Sequence, residues 1–213
     1  MKWSSYLPKH IETLQSKDLW KAIFYYLFFP WFWFVILAPG FLVSIPAVAG
    51  CEDGVKKPFA PGRTTIVSTL IHAFLWAFLI GIFYFLGAKS GIAFPFTNLA
   101  HAPGIAHAGI STSGENMMLQ SWFVYAVLPI LAFIILSPGL VFSLPPVTYC
   151  DDHSKTGVIA TKRVTALTTF VHSLAFITLL ALIFALGSSL HLTHPVTSTA
   201  LFSHMSKIKS YTF

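Results

Sequence analysis

The chain has 213 residues, of which 55% are hydrophobic and only 9% are charged. A typical soluble domain is about 25% charged, and so few charges cannot cover a water-facing surface. The composition therefore excludes an ordinary soluble globule and predicts an integral membrane protein. The net charge of +6 suits contact with anionic lipid headgroups, and no aromatic-basic pattern indicates a nucleic-acid partner.

Four uncharged runs are long enough to cross the roughly 30 Å hydrocarbon core, which takes about 20 residues of helix. Because a backbone in lipid must satisfy its own polar groups, these runs predict transmembrane helices. The predicted helices cover about 22–49, 64–88, 121–149 and 164–190. The other segments are an N-terminal tail that could hold an interfacial helix, a connecting loop and a C-terminal tail, over 1–21, 89–120 and 191–213.

An internal repeat divides the chain into hairpin units at 22–88 and 121–190. The matching pairs, at an offset of 99 and then of 100 after one inserted residue, include Pro39 and Pro138, Gly40 and Gly139, Cys51 and Cys150, and His72 and His172. The predicted fold class is thus an all-α membrane protein with four transmembrane helices in two tandem helical hairpins. Since each hairpin has an even number of spans, the copies should form a parallel repeat with a pseudo-two-fold axis along the membrane normal.

Charge does not orient these helices. The two tails and the connecting loop share one side of the predicted membrane with seven basic residues, and the hairpin loops share the other side with six. This difference is too small for the positive-inside rule to choose an orientation.

The second repeat reads Leu-Ser-Pro-Gly-Leu-Val-Phe at 136–142, followed by Pro145 and later by Val171 and His172. This pattern resembles a plant family of very small two-helix membrane proteins of unknown function, whose motif is Leu-Ser-Pro-Gly-Leu-Leu-Phe. Similar hairpins occur among predicted proteins of algae and of large algal DNA viruses. The first repeat departs from the motif at Ala38 and Ile71. The resemblance implies a hairpin architecture and no activity.

His72 and His172 are the sharpest candidate site residues, because an ionisable group inside an apolar run is a functional hypothesis by default. Two facing imidazoles could ligate a haem iron. The favoured alternative is helix packing, in which Pro39 frees a carbonyl near residues 35 and 36 and His72 donates to it. Pro138 and His172 repeat this arrangement. Gly40 and Gly139 would allow close backbone approach at the kinks.

The Pro-Gly pairs could instead mark the broken helices of a small channel or transporter. That alternative needs a polar path formed by residues of both repeats, namely Thr65, Ser68, Thr69 and His72 with Thr165, Thr168, Thr169 and His172. The four runs contain no Asp, Glu, Lys or Arg, which argues against a coupled transporter.

Each hairpin loop carries a cysteine followed by two acids, Cys51-Glu52-Asp53 and Cys150-Asp151-Asp152. A metal site, a disulfide and two separate buried cysteines are all compatible with this pattern. Five histidines lie in the loop and tail of the opposite side, where they could bind metal or sense pH but are more often solvated. These are His101, His107, His191, His194 and His204.

The chain has no nucleophile elbow, phosphate-binding glycine loop or paired intramembrane carboxylates, so we predict no enzyme, no resident cofactor and no metal. The predicted function is that of a structural or accessory subunit of a larger membrane assembly. That assembly would be an organelle complex or the membrane layer of a virus particle. Its partners would be the lipid bilayer and other membrane or capsid-type subunits. A channel or transporter and a bis-histidine haem protein are the alternatives.

Overall fold

The computed structural model describes residues 20, 21, 23–89 and 119–190. This part of the chain is mostly helical, with two small antiparallel sheets. A π-helical turn at Phe24–Phe28 leads into α1, and the same order of elements then occurs a second time after another π-helical turn at Phe123–Val127. The elements are α1 (Phe29–Leu37), β1 (Val43–Ala49), β2 (Lys56–Phe59), α2 (Ile66–Lys89), α3 (Leu128–Leu136), β3 (Phe142–Thr148), β4 (Thr156–Ile159) and α4 (Ala166–Ser189).

Three helical stretches of the described residues are long and apolar enough to cross a membrane. They are Ile66–Gly87, Leu119–Leu136 and Ala166–Gly187. The two stretches of 22 residues are each about 33 Å long at 1.5 Å per residue, which matches the hydrocarbon core. A shorter apolar helix occupies Phe24–Leu37. The chain is therefore compatible with a membrane protein.

The first helix of each repeat ends much earlier than the sequence predicts. Continuous helices were expected over 22–49 and 121–149, but α1 ends at Leu37 and α3 ends at Leu136. The next residues are extended, with ψ of 113° at Ala38 and 119° at Ser137, because a residue before proline is disfavoured in the helical region. The Pro-Gly pairs thus end these helices and turn the chain instead of kinking a continuous helix.

The all-α prediction is wrong because a β-hairpin follows each of these helices. β1 pairs with β2 and β3 pairs with β4, and both ladders shift register within the first strand. The β1 sequence Val-Ser-Ile-Pro-Ala-Val-Ala continues the apolar run of α1 without a charge. Hydropathy alone cannot separate a short buried strand from helix in such a run.

The four helices pack around a core that residues of both repeats form. α1 and α3 each contact both α2 and α4. At the centre, Phe34 stacks on Phe176 with ring centroids 4.4 Å apart, and Trp76 lies 5.6 Å from Phe133. Phe34 and Phe133 are equivalent positions of the repeat, as are Trp76 and Phe176. The repeats therefore meet through the same surface of each unit.

Two indole N–H groups, both in the first repeat, donate hydrogen bonds in this core. The Trp76 Nε1 donates to the Pro30 carbonyl at 3.1 Å, and the Trp31 Nε1 donates to the Ser173 hydroxyl of the other repeat at 3.1 Å. Both contacts start from residues of the first repeat. The two repeats are thus alike in backbone but differ in their polar contacts.

Candidate functional site

His72 joins the end of α1 to the irregular part of β1. Its Nδ1 lies 2.7 Å from the Leu37 carbonyl, and its Nε2 accepts a hydrogen bond from the Ile45 amide at 2.9 Å. Because an amide N–H can only donate, Nε2 is the unprotonated nitrogen and Nδ1–H donates to Leu37. The imidazole is fully buried. One neutral side chain therefore satisfies two main-chain groups at once.

His172 makes the same two contacts in the second repeat. Its Nδ1 donates to the Leu136 carbonyl at 2.8 Å, and its Nε2 accepts from the Leu144 amide at 3.0 Å. Its side chain is also buried. Each of these residues is the counterpart of one in the first repeat, so both copies retain the whole arrangement.

The backbone explains why a histidine stands here. The last carbonyls of a helix have no partner within the helix, and Leu37 is the last residue of α1. The Ile45 amide lies where the β1–β2 register shifts, between Val43 and Val48, so the ladder does not pair it. A buried backbone group without a partner costs about 1–3 kcal/mol. The rigid imidazole carries a donor and an acceptor on opposite sides of one ring, which suits both groups.

This geometry weakens the case for a haem. Both ring nitrogens of His72 and of His172 are engaged with backbone atoms. Iron ligation needs a free nitrogen lone pair, so it would require breaking the Ile45 or Leu144 contact. The acceptor of His72 differs from the carbonyl expected near residues 35 and 36, since it is the Leu37 carbonyl at the end of α1. The second contact, to a strand amide, was not predicted.

Most of the buried hydroxyls predicted to line a polar path are paired within their own repeat. Ser44 and Ser68 share a hydrogen bond of 2.8 Å, and Thr64 lies 3.2 Å from Thr69. In the second repeat, Ser143 pairs with Thr161 at 2.7 Å, and the hydroxyls of Thr165 and Thr168 are 3.2 Å apart. The Ser44–Ser68 contact joins β1 to α2, the Ser143–Thr161 contact closes the second hairpin, and the two threonine pairs lie at the starts of α2 and α4. They do not form one path between the repeats.

Cys51 and Cys150 are joined in a disulfide with their Cα atoms 5.1 Å apart. Of the three alternatives that the sequence left open, the structure contains the disulfide. A bonded sulfur is not a thiolate ligand, and the described residues hold no group of three or more side chains suited to a metal. The five histidines of the opposite side, His101, His107, His191, His194 and His204, lie outside the described residues.

Polar contacts surround the disulfide and cross between the repeats. Arg63 donates to Asp151 at 2.9 Å, and Arg163 donates to Glu52 at 3.2 Å. The Thr64 amide donates to the Lys162 carbonyl at 3.0 Å. We call the disulfide and these cross-repeat contacts the clamp. Sequence reasoning missed the roles of Arg63 and Arg163, although the two arginines are a matched pair of the repeat.

Lys162 and the clamp residue Arg63 give Asp151 a pH-dependent contribution to stability. Lys162, which donates to this carboxylate at 2.7 Å, and then the charge of Arg63 lower the pKa of Asp151. Because the folded pKa lies below the unfolded one, the stabilisation is complete above the ordinary aspartate pKa and is lost as pH falls through the lowered value. The side chain is 53% exposed, so the effect is small.

We expect Asp151→Asn to remove this part of the acid sensitivity. The unfolding midpoint of the natural chain should fall as the pH drops below about 4, and that of the variant should fall less. The measurement is detergent-based unfolding at each pH. Asp53→Asn is the comparison variant, because Lys57 also lowers the pKa of Asp53 but the pair lies within one hairpin, so this variant loses the same kind of acid sensitivity without losing a contact between the repeats. If the unfolding midpoints of Asp151→Asn and of the natural chain fell equally as the pH is lowered, the role given to Asp151 would be contradicted.

Gly40 and Gly139 let the turn after the first helix lie against the start of the second. Their φ values are +89° and +82°, in the left-handed region that favours glycine. A Cβ on Gly40 would overlap the Arg63 carbonyl oxygen, and one on Gly139 would lie 2.7 Å from the Arg163 carbonyl oxygen. The close approach predicted for these glycines therefore involves the backbone beside the clamp.

Comparison with known proteins finds no matching family model, no matching curated protein and no matching solved structure. The resemblance to the plant hairpin family thus stays a prediction.

Proposed function

We propose that the chain is a multi-pass integral membrane protein that serves as a structural or accessory subunit of a larger membrane assembly. The observation that carries this proposal is the contrast between its inside and its outside. The polar groups at the helix ends are engaged in holding the hairpins and the two repeats together. The outer helix faces present large apolar side chains, such as Phe74 at 70% exposure, Phe78 at 67% and Leu182 at 61%.

Four spans in two tandem hairpins are the arrangement that we propose for this protein. The helical stretch Leu119–Leu136 is long enough to cross, and the stretch that ends at Leu37 is its counterpart at an offset of 99. Contacts between equivalent residues, at the aromatic core and at the clamp, support a pseudo-two-fold axis along the membrane normal. The helix ends that carry the hairpins would then share one side of the membrane.

The hairpins would rest at the membrane surface with their bases in the apolar layer. Leu42, Ile45 and Phe59 are exposed at the base of the first hairpin, and Val141, Leu144 and Ile159 match them in the second. Charged residues occupy the turns, where they would meet water and lipid headgroups. An unpaired amide at Ile45 would be costly in such a layer. This cost explains why the His72 imidazole accepts a hydrogen bond from it.

A non-catalytic role follows from how the site residues are used. In the described residues, the two imidazoles and most of the buried hydroxyls near the helix ends satisfy the backbone or one another. What remains for a partner is apolar surface at the height of the membrane, where lipid and other membrane or capsid-type subunits would contact it. We propose no organelle or particle, because the chemistry of this surface suits either.

Purification from the native membrane tests the proposal. We expect the protein to stay in the pellet after alkaline carbonate washing, and to migrate in mild detergent within one stoichiometric complex. A harsher detergent should release a folded monomer, because the fold rests on internal contacts. Release into the carbonate wash would contradict membrane insertion. A monodisperse, partner-free monomer in mild detergent would contradict the subunit role.

A further inference from the structure

We propose that the Cys51–Cys150 disulfide is an oxidation site that places the hairpin end of the protein on the oxidising side of its membrane. The inference rests on the proposed four-span arrangement, because only spanning helices have ends on opposite sides. It supplies the orientation that the charge distribution leaves undecided, since seven basic residues face six.

The two cysteines are equivalent residues that the repeats bring together. Cys51 follows β1 and Cys150 follows β3, and they match at the offset of 99. Their side chains are buried, at 8% and 6% exposure. Their Cα separation of 5.1 Å lies within the range of about 4.4–6.8 Å that disulfides require. Neither cysteine could find a different partner in this chain, because it contains only these two.

Noncovalent contacts hold the same two loops in register independently of the sulfur bond. The Thr64 amide bonds to the Lys162 carbonyl at 3.0 Å, and the Val164 amide bonds to the Gly62 carbonyl at 2.9 Å. The Arg63–Asp151 and Arg163–Glu52 ion pairs cross the same boundary in opposite directions. The thiols of the reduced chain would therefore be neighbours before they are oxidised.

The oxidation has a definite chemical requirement. Two thiols lose two protons and two electrons as the S–S bond forms. In thiol–disulfide exchange the electrons pass to the disulfide of a protein oxidant, which leaves as a dithiol. Such oxidants act in secretory, periplasmic or other oxidising compartments, whereas the cytosol keeps protein thiols reduced. Both thiols must meet the oxidant on the side where the hairpins lie.

The opposite helix ends then face the reducing side. α1 and α3 end at the hairpins, and α2 and α4 begin there. The far ends of the same helical stretches are at Phe24, Lys89, Leu119 and Ser189. The orientation of the described chain is thereby defined.

The first arm of the test counts free thiols in the full-length natural chain. Membranes are treated at once with a small alkylating reagent, denatured, and exposed to a mass-tagged maleimide before and after reduction. We expect no mass tag on protein that is alkylated directly. Protein that is alkylated, reduced and then tagged should carry two tags, one for each cysteine. If both cysteines are alkylated directly, no thiol is left to tag after reduction. That result would overturn the proposal.

The second arm reads sidedness in sealed microsomes from cells that express the full chain. A reporter thiol is placed by Val55→Cys at the first hairpin turn, where Val55 is 61% exposed, or by Leu119→Cys at the far end, where Leu119 is 71% exposed. We expect an impermeant maleimide to label Leu119→Cys directly. Val55→Cys should be labelled only after the membrane is permeabilised. Repeating both reporters with Cys51→Ser and Cys150→Ser removes interference from the natural pair.

The outcomes separate this inference from the proposed function. The reversed pattern, with Val55→Cys labelled directly and Leu119→Cys protected, would overturn the orientation and leave the spanning arrangement intact. Direct labelling of both reporters would mean that both ends lie on one side. That result would overturn the four-span arrangement and the orientation with it.

Discussion

Replacing His72 with alanine is expected to lower the free energy of unfolding by roughly 3–6 kcal/mol, from two orphaned backbone groups and a cavity. The Leu37 carbonyl and the Ile45 amide lose their partner together. Both groups lie where the hairpin joins the helices, so the hairpin should detach first. The measurement is unfolding of the purified chain in mixed micelles against the mole fraction of a denaturing detergent.

Two variants separate the hydrogen bonds from the filling of space. His72→Phe restores most of the ring volume but neither contact, so it should recover only the cavity part of the loss. Leu70→Ala, on the same helix at 42% exposure, is the control and should change the free energy of unfolding by about 1 kcal/mol or less. If His72→Phe were as stable as the natural chain, the paired backbone groups would not be the role of this residue.

The equivalent change in the second repeat should have the same effect. His172→Ala orphans the Leu136 carbonyl and the Leu144 amide, which are the counterparts of the first pair. The two losses should add in the double variant, because the imidazoles act in separate hairpins. A loss confined to one repeat would show that the two sites are not equivalent in energy.

Gly40→Ala is expected to destabilise the chain by about 3 kcal/mol or more, by combining left-handed backbone strain of about 1–2 kcal/mol with a backbone collision. The new Cβ would overlap the Arg63 carbonyl, which belongs to the backbone beside the clamp and has little freedom to move. The same unfolding assay measures the loss. Thiol tagging under native conditions should also detect a less complete disulfide.

Gly81→Ala is the matched control for this change. Gly81 lies within α2 and does not have a positive φ, and a Cβ added there would meet no neighbouring group within 4 Å. Alanine is favoured over glycine inside a helix by roughly 0.5–1 kcal/mol, so this variant should be as stable as the natural chain or more stable. Equal tolerance of alanine at Gly40 and Gly81 would contradict the close approach.

The sequence was sufficient to predict where the second helices of the repeats lie. Helices were predicted over 64–88 and 164–190, and the structure has them at Ile66–Lys89 and Ala166–Ser189. Their long apolar runs lie between charged loops, so composition alone marks them. The repeat also identified His72 and His172 as paired residues, although their acceptors are the helix-end carbonyls of Leu37 and Leu136 and not the carbonyls expected about one turn before the prolines.

The β-hairpins could not be predicted from hydropathy. β1 and β3 continue the uncharged runs of the helices before them, and a Pro-Gly pair is compatible with either a kink or a helix end. Whether the helix bends or ends depends on the tertiary contact of Gly40 with the Arg63 backbone. It also depends on an imidazole that accepts a hydrogen bond from the Ile45 amide. Both partners lie more than 20 residues away along the chain, so a local pattern does not contain this information.

The hydrogen bond from Trp31 to Ser173 has a consequence for which halves of the protein pair with each other. The equivalent positions are Ile130 and Ala73, so the reciprocal contact is purely apolar. If two second halves from different molecules joined, Ile130 would face Ser173 and the indole donor would be missing. Pairing between unlike halves is therefore favoured over pairing between like halves, so a second half should select a first half and not another second half in a crowded bilayer.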